Sequence, residues 1–391
     1  FKIGFGDQAL SKPLHHWINE GLMAIFFFVV GLELKREIMC GALSTLKGAM
    51  MPVAAAFGGM VVPGIIYYVI NPSGPASSGW GIPMATDIAF ALGILHLAGE
   101  RVPVSMKIFL AALAIADDLG AVLVIAIFYT SHIDLASLGQ AGIFLAILIA
   151  ANRLGVRSTF FYAAVGAGGV WLSFLMSGVH ATIAAVLIAF IIPTKVKIDE
   201  ASYTSRLEGL VKRYKDEEPN NNPLVTTQQL HIIEEIRTCS KLALTPLQRL
   251  EHALHPIVTF IIMPVFALAN AGVSIEGDFL ESLAGPVSLG VILGLIIGKF
   301  VGVFSASYLM LRTGLGKLPE DLTLKHLAAM SVVAGIGFTM SLFVADLAFN
   351  DIETVRQARF GILTSSVLAA IAGYTAVRMV CKPIPKSGNE P

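Results

Sequence analysis

Eleven apolar segments constrain the fold of this sequence more than any other feature. At about 1.5 Å of helical rise per residue, most of them are long enough to cross the ~30 Å hydrocarbon core of a bilayer. The chain is 55% hydrophobic and 14% charged, with a mean hydropathy of +0.75, which is more apolar surface than a soluble domain buries. We therefore predict an all-α polytopic membrane protein with spans at residues 16–34, 49–70, 81–98, 105–130, 135–152, 158–176, 179–193, 253–273, 286–311, 326–348 and 358–380.

The loops between these segments alternate in charge, and this alternation predicts the orientation of the chain. Basic residues follow the first, third, fifth and ninth segments: Lys35, Arg36, Lys47, Arg101, Lys107, Arg153, Arg157, Arg312, Lys317 and Lys325. The intervening loops are nearly free of Lys and Arg, apart from Arg356 and Arg359, which lie beside two acidic residues. Because basic loops remain on the cytoplasmic side of a membrane, we expect these loops and the C-terminus in the cytoplasm.

The predicted domain organisation follows from the spans. Eleven spans and a cytoplasmic C-terminus put the N-terminus outside, yet the sequence starts at Phe1 without a signal-peptide pattern. We therefore expect a further apolar helix upstream, which would make twelve in the complete protein. The predicted units are an external segment at 1–14, membrane helices at 15–194, a polar insert at 195–249, membrane helices at 250–381 and a cytoplasmic tail at 382–391.

The polar insert contains two helical patterns separated by the turn sequence PNNNP. The first pattern, at 201–218, is dominated by charged residues, whereas Leu and Ile recur at helical spacing in the second, at 226–244. One interpretation is a cytoplasmic helical hairpin that docks on the membrane helices. The alternative is a solvated linker.

Two adjacent aspartates, Asp117 and Asp118, lie in the middle of the apolar segment 105–130. At the centre of a membrane helix, a charged side chain costs about 2.5–3.5 kcal/mol on the insertion scale. Ionisable residues at this depth typically mark an ion or proton pathway. The pair therefore predicts cation or proton transport, and a purely structural role is the alternative.

Glycine, proline and threonine interrupt two of the predicted spans near mid-depth. Segment 81–98 contains Thr86 and Asp87, with glycine and proline around them. Segment 326–348 contains Gly335, Gly337 and Thr339. Each is the middle span of a three-span block, 49–130 and 286–380, and the blocks start on opposite sides of the membrane. This pattern predicts inverted repeats with one discontinuous helix in each, which marks the binding site of many secondary transporters.

Lys299 lies near the middle of the segment 286–311, too deep for its side chain to reach the membrane surface. It needs an anionic partner or must lose its proton, and either Asp117 or Asp118 could supply the carboxylate. Adjacent helical residues point about 100° apart, so one aspartate can hold Lys299 while the other faces a cavity. Sodium and lithium ions prefer oxygen ligands, which Asp117, Asp118, Thr86 and freed backbone carbonyls could provide.

Structural roles compete with transport roles at several of these positions. Asp87 and Lys299 could neutralise the partial charges at the ends of broken helices. Thr86 and Thr339 could hydrogen-bond only within their own helices. His180, near the outer end of its helix, is expected to be a satisfied structural histidine, and Asp346 is expected to be solvated near the outer surface.

A second group of ionisable residues is predicted at the cytoplasmic ends of two helices. Glu33 and Glu37 are one helical turn apart, and Glu251, His252 and His255 begin another apolar segment. Coupled Glu and His side chains at the mouth of a funnel can titrate near neutrality, which would regulate transport by pH and attract cations. An ordinary belt of interfacial charges is the alternative.

Other classes of function fit the sequence less well. Intramembrane aspartyl proteases also use two buried aspartates, but their motifs GxGD and YD are not supplied by ADDLG and ATD. A passive cation channel is disfavoured because a buried lysine in the pathway would block conduction. The formal net charge of 0 and the lack of a basic tail or motif give no indication of nucleic-acid binding.

Long stretches of the chain resemble the bacterial NhaA-type sodium/proton antiporters, whose fold is itself an established example of the inverted-repeat rule used above. The resemblance covers the chain apart from the insert, in INEGLMAIFFFVVGLELKREI, GIPMATDIAFALG, KIFLAALAIADDLGA, SGVHAT, RLEHALHPIVTFIIMPVFALANAG, GLIIGKFVG and AGIGFTMSLF. It implies an inner-membrane electrogenic exchanger that expels Na⁺ or Li⁺ and imports H⁺, with twelve helices, two of them crossed and discontinuous. It implies neither an enzymatic activity nor a cofactor beyond the transported ions.

The resemblance also implies roles for individual residues. Asp117 and Asp118 would bind the cation, with Asp118 the more exposed, and Lys299 would pair with Asp117 and could itself carry a proton. Asp87 and Thr86 would lie where the broken helices cross. The residues implied in pH activation are Glu33, Glu37, Glu251, His252 and His255.

The resemblance also implies partners for the chain, although the chain departs from the family pattern at two places. A periplasmic β-hairpin at FKIGFGDQAL would mediate a homodimer, with membrane lipid around it. Two departures from the family pattern are Glu20, where an aspartate is expected, and the long insert from Lys195 to Arg249, which replaces a short loop.

Overall fold

The computed structural model is almost entirely helical. It describes the backbone of residues 2–3, 10–11, 13–130, 133–217, 224–272 and 279–381. A two-stranded antiparallel ladder, β1 (Lys2–Ile3) and β2 (Leu10–Ser11), pairs Lys2 with Ser11. The helices that follow are α1 (Leu14–Cys40), α2 (Leu46–Ile70), a 3₁₀ segment (Pro75–Met84), α3 (Ile88–Leu97), α4 (Val104–Phe128), α5 (Leu135–Arg153), α6 (Thr159–Ser177), α7 (Ala181–Ile191), α8 (Glu200–Asp216), α9 (Thr227–Ala243), α10 (Pro246–Asn270), α11 (Phe279–Ala284), α12 (Pro286–Arg312), α13 (Leu324–Val333), α14 (Phe338–Ala348) and α15 (Ile352–Val380).

Ten of the eleven predicted segments coincide with candidate membrane spans of the described chain. Eight helices of the described chain are long and apolar enough to cross a membrane. Two further spans are bent pairs, the 3₁₀ segment with α3 and α13 with α14, and the short apolar helix α7 accounts for the eleventh segment. The prediction of an all-α polytopic membrane protein is therefore confirmed.

Helices α10 and α15 begin earlier than their apolar segments because polar residues cap and extend them. A capping box of Thr245 and Gln248 starts α10 seven residues before the predicted segment. Asp351 caps α15 and accepts a hydrogen bond from the Thr354 amide at 3.0 Å. The hydrogen bonds that it accepts from the Thr354 backbone and hydroxyl hold the pKa of Asp351 below its usual value.

The insert contains the two predicted helices, α8 and α9, which lie against each other. Tyr203 and Ser240 join the helices by a hydroxyl contact of 3.1 Å, and Arg213 pairs with Glu235 at 2.9 Å. At the base of the hairpin, Arg157 donates to the Leu244 carbonyl at 3.4 Å. A helical hairpin thus replaces the solvated-linker interpretation for the described residues, whereas its docking on the membrane helices remains a prediction.

Short connections make consecutive membrane helices run in opposite directions, so the molecule has two ends. We call face A the end at which α1 and α15 begin, and face B the end at which α1 finishes and the insert is attached. Basic loops therefore lie at face B, and the loops that are poor in Lys and Arg lie at face A.

Three apolar clusters divide the membrane helices into two bundles. The first bundle, α1, α5, α6, α7 and α10, has its own cluster around Leu32, Leu148 and Ile188. The second bundle is formed by α2 to α4 and α12 to α15, and its own cluster contains Leu95 and Leu327. The third cluster joins the bundles: it contains residues of α1, α7 and α10 from the first bundle and residues of α2, the 3₁₀ segment, α4, α12, α14 and α15 from the second.

Helices α2 and α12 of the second bundle approach until their backbones touch. A Cβ added at Gly302 would collide with the Gly58 carbonyl, and one added at Gly298 would lie 2.7 Å from the Cα atom of Pro63. Small residues allow this approach, which is typical of helix packing in membranes. The contact fixes the position of Lys299, whose Nζ atom would lie 3.6 Å from a Cβ atom added at Gly59.

Candidate ion-binding site

The two interrupted spans break at the predicted positions and cross there. The 3₁₀ segment ends at Met84, and Ala85 to Asp87 are extended before α3 begins, with a bend of 41°. In the second span, α13 ends at Val333 and α14 begins at Phe338, with a bend of 48°. Gly335 lets the second break pack closely against α12, because a Cβ there would lie 2.6 Å from the Leu295 carbonyl oxygen. The predicted pair of discontinuous helices is therefore present.

Two hydrogen bonds join the two breaks, and the first break donates both of them. The backbone amide of Asp87 donates to the Ile336 carbonyl at 2.7 Å, and the Thr86 hydroxyl donates to the Ala334 carbonyl at 2.9 Å. Broken helices leave backbone groups without helical partners, and in lipid such groups must be satisfied within the protein. The first break thus satisfies two carbonyls of the second, which holds the two breaks together.

Asp87 caps two helices with one carboxylate. Its Oδ1 atom accepts from the Phe90 amide of α3 at 3.1 Å. Its Oδ2 atom accepts from the Thr339 amide of α14 at 3.0 Å and from the Thr339 hydroxyl. Both helix N-termini carry a partial positive charge that favours a carboxylate. These contacts support the structural interpretation of Asp87, and they exclude the idea that Thr86 and Thr339 bond only within their own helices.

Replacing Asp87 with alanine should lower the stability of the purified protein in detergent by about 3 kcal/mol, because two buried amides and one hydroxyl lose their acceptor. Asp87→Asn retains one acceptor oxygen and should lose less. Asp351→Ala is the matched control, since Asp351 caps a helix at an exposed position and its loss should cost less. Equal melting temperatures for Asp87→Ala and Asp351→Ala would contradict the double-cap assignment.

Asp117, Asp118 and Lys299 meet next to this crossing. All three are buried, with exposed fractions of 0%, 1% and 0%. Lys299 donates to Oδ2 of Asp117 in a buried ion pair, which resolves the choice that the sequence left between the two aspartates. The Asp117 carboxylate also lies beside Thr86. Both carboxylates are covered, so the expected greater exposure of Asp118 amounts to 1% against 0% for Asp117.

Three carboxylate oxygens of the site are available for a further ligand. Both oxygens of Asp118 and Oδ1 of Asp117 accept no hydrogen bond from the described residues. The two aspartates and Lys299 carry one excess negative charge when all are ionised, and Asp87 lies close enough to Asp118 to add repulsion. An uncompensated buried charge is strongly unfavourable. The arrangement therefore favours uptake of a cation or a proton at Asp118.

The oxygen donors suit a monovalent hard cation better than a transition metal. Two carboxylates and the Thr86 hydroxyl are the predicted sodium ligands, and hard cations prefer such oxygens. Within the described parts of the chain, no group of three or more His, Cys, Asp and Glu side chains is arranged to hold a metal ion. A transported ion, held by few ligands, is consistent with this donor set.

The residues predicted for pH regulation lie at face B, and an arginine connects two of the five. Arg36 of α1 donates to Glu251 of α10, and it also bonds Glu37 at 3.1 Å. His255 lies 3.9 Å from Glu33, measured from Nε2 to Oε1.

His252 is exposed and enters none of these contacts with the other four predicted residues. Sequence reasoning did not include Arg36 in the set, although its position between Glu33 and Glu37 was a usable signal. The neighbouring Lys35 instead caps α7, donating to the Phe190 and Ile192 carbonyls at 2.6 Å.

Of the two polar sites at face A, one agrees with the expectation from the sequence and one does not. His180 is satisfied as predicted, with Nε2 3.1 Å from the Tyr129 carbonyl and Nδ1 3.4 Å from Glu20. Asp346 is not solvated: only 7% of its side chain is exposed, and it pairs with Arg359 at 3.0 Å. The expectation failed because Arg359, one helix away, folds back over the carboxylate.

A family model described as Na⁺/H⁺ antiporter 1 matches residues 1–377 of the chain. The chain belongs to the NhaA family of Na⁺/H⁺ antiporters. This assignment agrees with the crossed helices, the buried carboxylates and the lysine described above. It also makes the chain a member of a transporter family rather than of an enzyme family.

Full-length relatives support the assignment. The chain is 47% identical over 390 residues to the Na⁺/H⁺ antiporter NhaA of Oleidesulfovibrio alaskensis, covering 100% of this chain and 85% of the relative. It is 47% identical over 387 residues to NhaA 1 of Psychromonas ingrahamii, covering 99% and 88%. It is also 47% identical over 392 residues to NhaA of Acidithiobacillus ferrooxidans, covering 100% and 89%.

Proposed function

We propose that this Na⁺/H⁺ antiporter exchanges Na⁺ or Li⁺ for protons at one buried site, in which Asp118 is the principal carboxylate. The observation that carries the proposal is the Asp118 side chain, which is 1% exposed and has no hydrogen-bond donor for either oxygen among the described residues. A carboxylate in that setting must be neutralised by a bound cation or a proton. Because both neutralise the same charge, they compete.

Asp117 and Lys299 complete the site in this proposal. Asp117 offers Oδ1 to the cation while its Oδ2 holds Lys299. Thr86 lies beside Asp117 and can supply a hydroxyl oxygen. When the cation leaves, protons bind to the carboxylates that it occupied. Lys299 is a third ionisable group at the site. More than one proton can therefore replace one cation, which supports electrogenic exchange.

The crossing supports the site mechanically. Four half-helix ends meet there, and Asp87, Thr86 and Thr339 hold the ends together. A small tilt of this rigid unit relative to the first bundle would expose Asp118 to one side and then to the other. We infer that Gly335 and Gly337 let the crossing pack closely against Leu295 of α12.

We also propose an orientation and an assembly. The basic loops assign face B, the insert and the C-terminus to the cytoplasm, in the inner membrane of a bacterial cell. The ladder of β1 and β2 lies at face A, on the periplasmic side, where it is available for pairing in a homodimer surrounded by membrane lipid.

The cluster at face B is our candidate for pH regulation. Arg36 holds α1 to α10 through Glu251, and Glu33, Glu37 and His255 lie around it. A change in protonation of any of these carboxylates would alter the contact between the two helices at the cytoplasmic mouth. His252, which is exposed nearby, would contribute to the electrostatic field at the cytoplasmic mouth rather than to the contact between α1 and α10.

The experiment that tests the proposed function uses the full-length protein in everted membrane vesicles, with a dye that reports the pH gradient. Addition of Na⁺ or Li⁺ should collapse the gradient, more strongly at alkaline pH, and K⁺ should not. Imposing a membrane potential should change the rate, since one net charge moved across 100 mV corresponds to about 2.3 kcal/mol. No response to any of the cations would contradict the proposal.

A further inference from the structure

A polar network at face A joins five side chains across four helices. His15 of α1 donates from Nε2 to the Asn270 amide oxygen of α10 at 2.7 Å, and Asn270 donates to Asn19 at 2.9 Å. Asn19 donates to Oδ2 of Asp346 on α14 at 3.0 Å. Arg359 of α15 donates to Oδ1 of the same carboxylate at 3.0 Å. Both oxygens of Asp346 are thus occupied.

This network connects the two bundles. Asn19 and Asn270 belong to the first bundle and are buried, with exposed fractions of 7% and 0%. Asp346 and Arg359 belong to the second bundle. Arg359 also donates from Nη1 to the Gly272 carbonyl, at the end of α10, at 3.2 Å. Two hydrogen bonds therefore cross the boundary between the bundles: Asn19 to Asp346, and Arg359 to the Gly272 carbonyl.

An aromatic contact lies directly beneath the network and crosses the same boundary. Phe343 is one helical turn before Asp346 on α14 and is fully buried. Its ring centroid lies 5.5 Å from that of Phe27 on α1 and 6.2 Å from that of Phe266 on α10. The apolar cluster that joins the bundles continues from there towards the middle of the molecule. The polar network is the outermost layer of this seal.

We propose that Asp346, with Asn19 and Arg359, forms a polar lock that holds face A closed and must open each time the ion site faces that side. This inference rests on the proposed exchange by alternating access. The contacts are suited to a reversible lock. When the groups separate, water can hydrogen-bond each of them, so opening costs only a small net free energy. The apolar contacts beneath the network do not provide a layer whose separated groups water can hydrogen-bond.

Asp346→Asn tests the lock while preserving the shape of the side chain. The neutral amide loses the ion pair with Arg359 and must turn an NH₂ group towards one of the two donors. We expect the open state of face A to gain population by at least about tenfold, given the strength of hydrogen bonds to charged groups. The probe is a cysteine at Ala345, which is buried in the joining cluster, labelled in right-side-out vesicles by a membrane-impermeant maleimide.

The three natural cysteines can remain, because mass spectrometry of the labelled peptide identifies the modified position. Glu353→Gln is the matched control, since it removes an ion pair to Arg356 that lies within α15 at the same face. Labelling of Ala345→Cys should accelerate with Asp346→Asn and not with Glu353→Gln. An unchanged rate with Asp346→Asn would overturn the lock. Labelling requires no transport, so this outcome is distinct from a failure of the proposed exchange.

A cross-link provides a second test that does not depend on the folding of Asp346→Asn. Cysteines at Asn19 and Asp346 should be joined by a short bis-methanethiosulfonate reagent, which reduction removes, since the native side chains are in contact. Exchange should stop in the cross-linked protein and return after reduction. Unchanged exchange across a complete cross-link would overturn the proposal, because the two bundles would then not need to separate at face A.

Discussion

Asp118→Asn should abolish Na⁺/H⁺ exchange while leaving the protein folded. The amide removes the charge for which cation and proton compete, and it keeps the volume of the side chain. Since neither oxygen of Asp118 accepts a hydrogen bond from the described residues, no structural contact is lost. We expect gradient collapse in everted vesicles to fall to that of vesicles without the protein, with an unchanged or higher melting temperature in detergent.

The control for this variant is Asp321→Asn, which neutralises an exposed aspartate in the loop before α13. It should exchange at the wild-type rate. Asp118→Asn that retained a substantial, cation-dependent exchange rate would contradict the assignment of Asp118 as the principal carboxylate. The combination of lost exchange and retained stability distinguishes a site residue from a structural one.

Lys299→Met should lower stability by about 3–5 kcal/mol, because it leaves Asp117 buried without its partner. Methionine retains the length and apolar stem of the lysine, so packing against Gly59 is largely kept. The loss should be smaller at low pH, where a proton can neutralise the stranded carboxylate. Thermal unfolding of the purified variant, followed from pH 5 to 8, measures both effects.

A double-mutant cycle separates the ion pair from the packing. Asp117→Asn combined with Lys299→Met removes both charges, and replacing a whole buried pair is often close to neutral. The double variant should therefore recover most of the stability that Lys299→Met loses. If the two single losses simply add in the double variant, the pairing of Asp117 with Lys299 does not contribute to stability.

The spans were predictable because their apolar runs are long and charged residues are rare within them. The starts of α10 and α15 were not, since the first turns of these helices contain polar residues and hydropathy alone cannot recognise them as helical. The capping box at Thr245 was a usable signal for α10. The breaks near Asp87 and Gly335 were predictable from glycine and proline in otherwise apolar spans.

The ion site was predictable in composition but not in detail. Asp117, Asp118 and Lys299 are recognisable because charge at mid-depth requires a partner. Which aspartate pairs with Lys299 depends on the rotation of α4, and adjacent residues differ by only about 100° in direction. The role of Asp87 required the crossing geometry, because one of its two capped helices lies about 250 residues further along the chain.

Asp346 shows the limit of reasoning from distance along a helix. Its position near the end of a span suggested solvation, whereas Asn19 and Arg359, from two other helices, cover it. Contacts of this kind depend on how whole bundles pack, and no local pattern in the sequence encodes them. The same packing turns an ordinary terminal aspartate into the centre of the proposed lock.

The most direct test of the central claim measures protons released when Na⁺ binds to the purified protein in weakly buffered detergent solution. If cation and proton compete for Asp118, the wild-type protein should release protons on addition of Na⁺ or Li⁺ and not of K⁺, and Asp118→Asn should release none. Equal release from the wild-type protein and from Asp118→Asn would contradict the claim, because the exchanged proton would then come from another group.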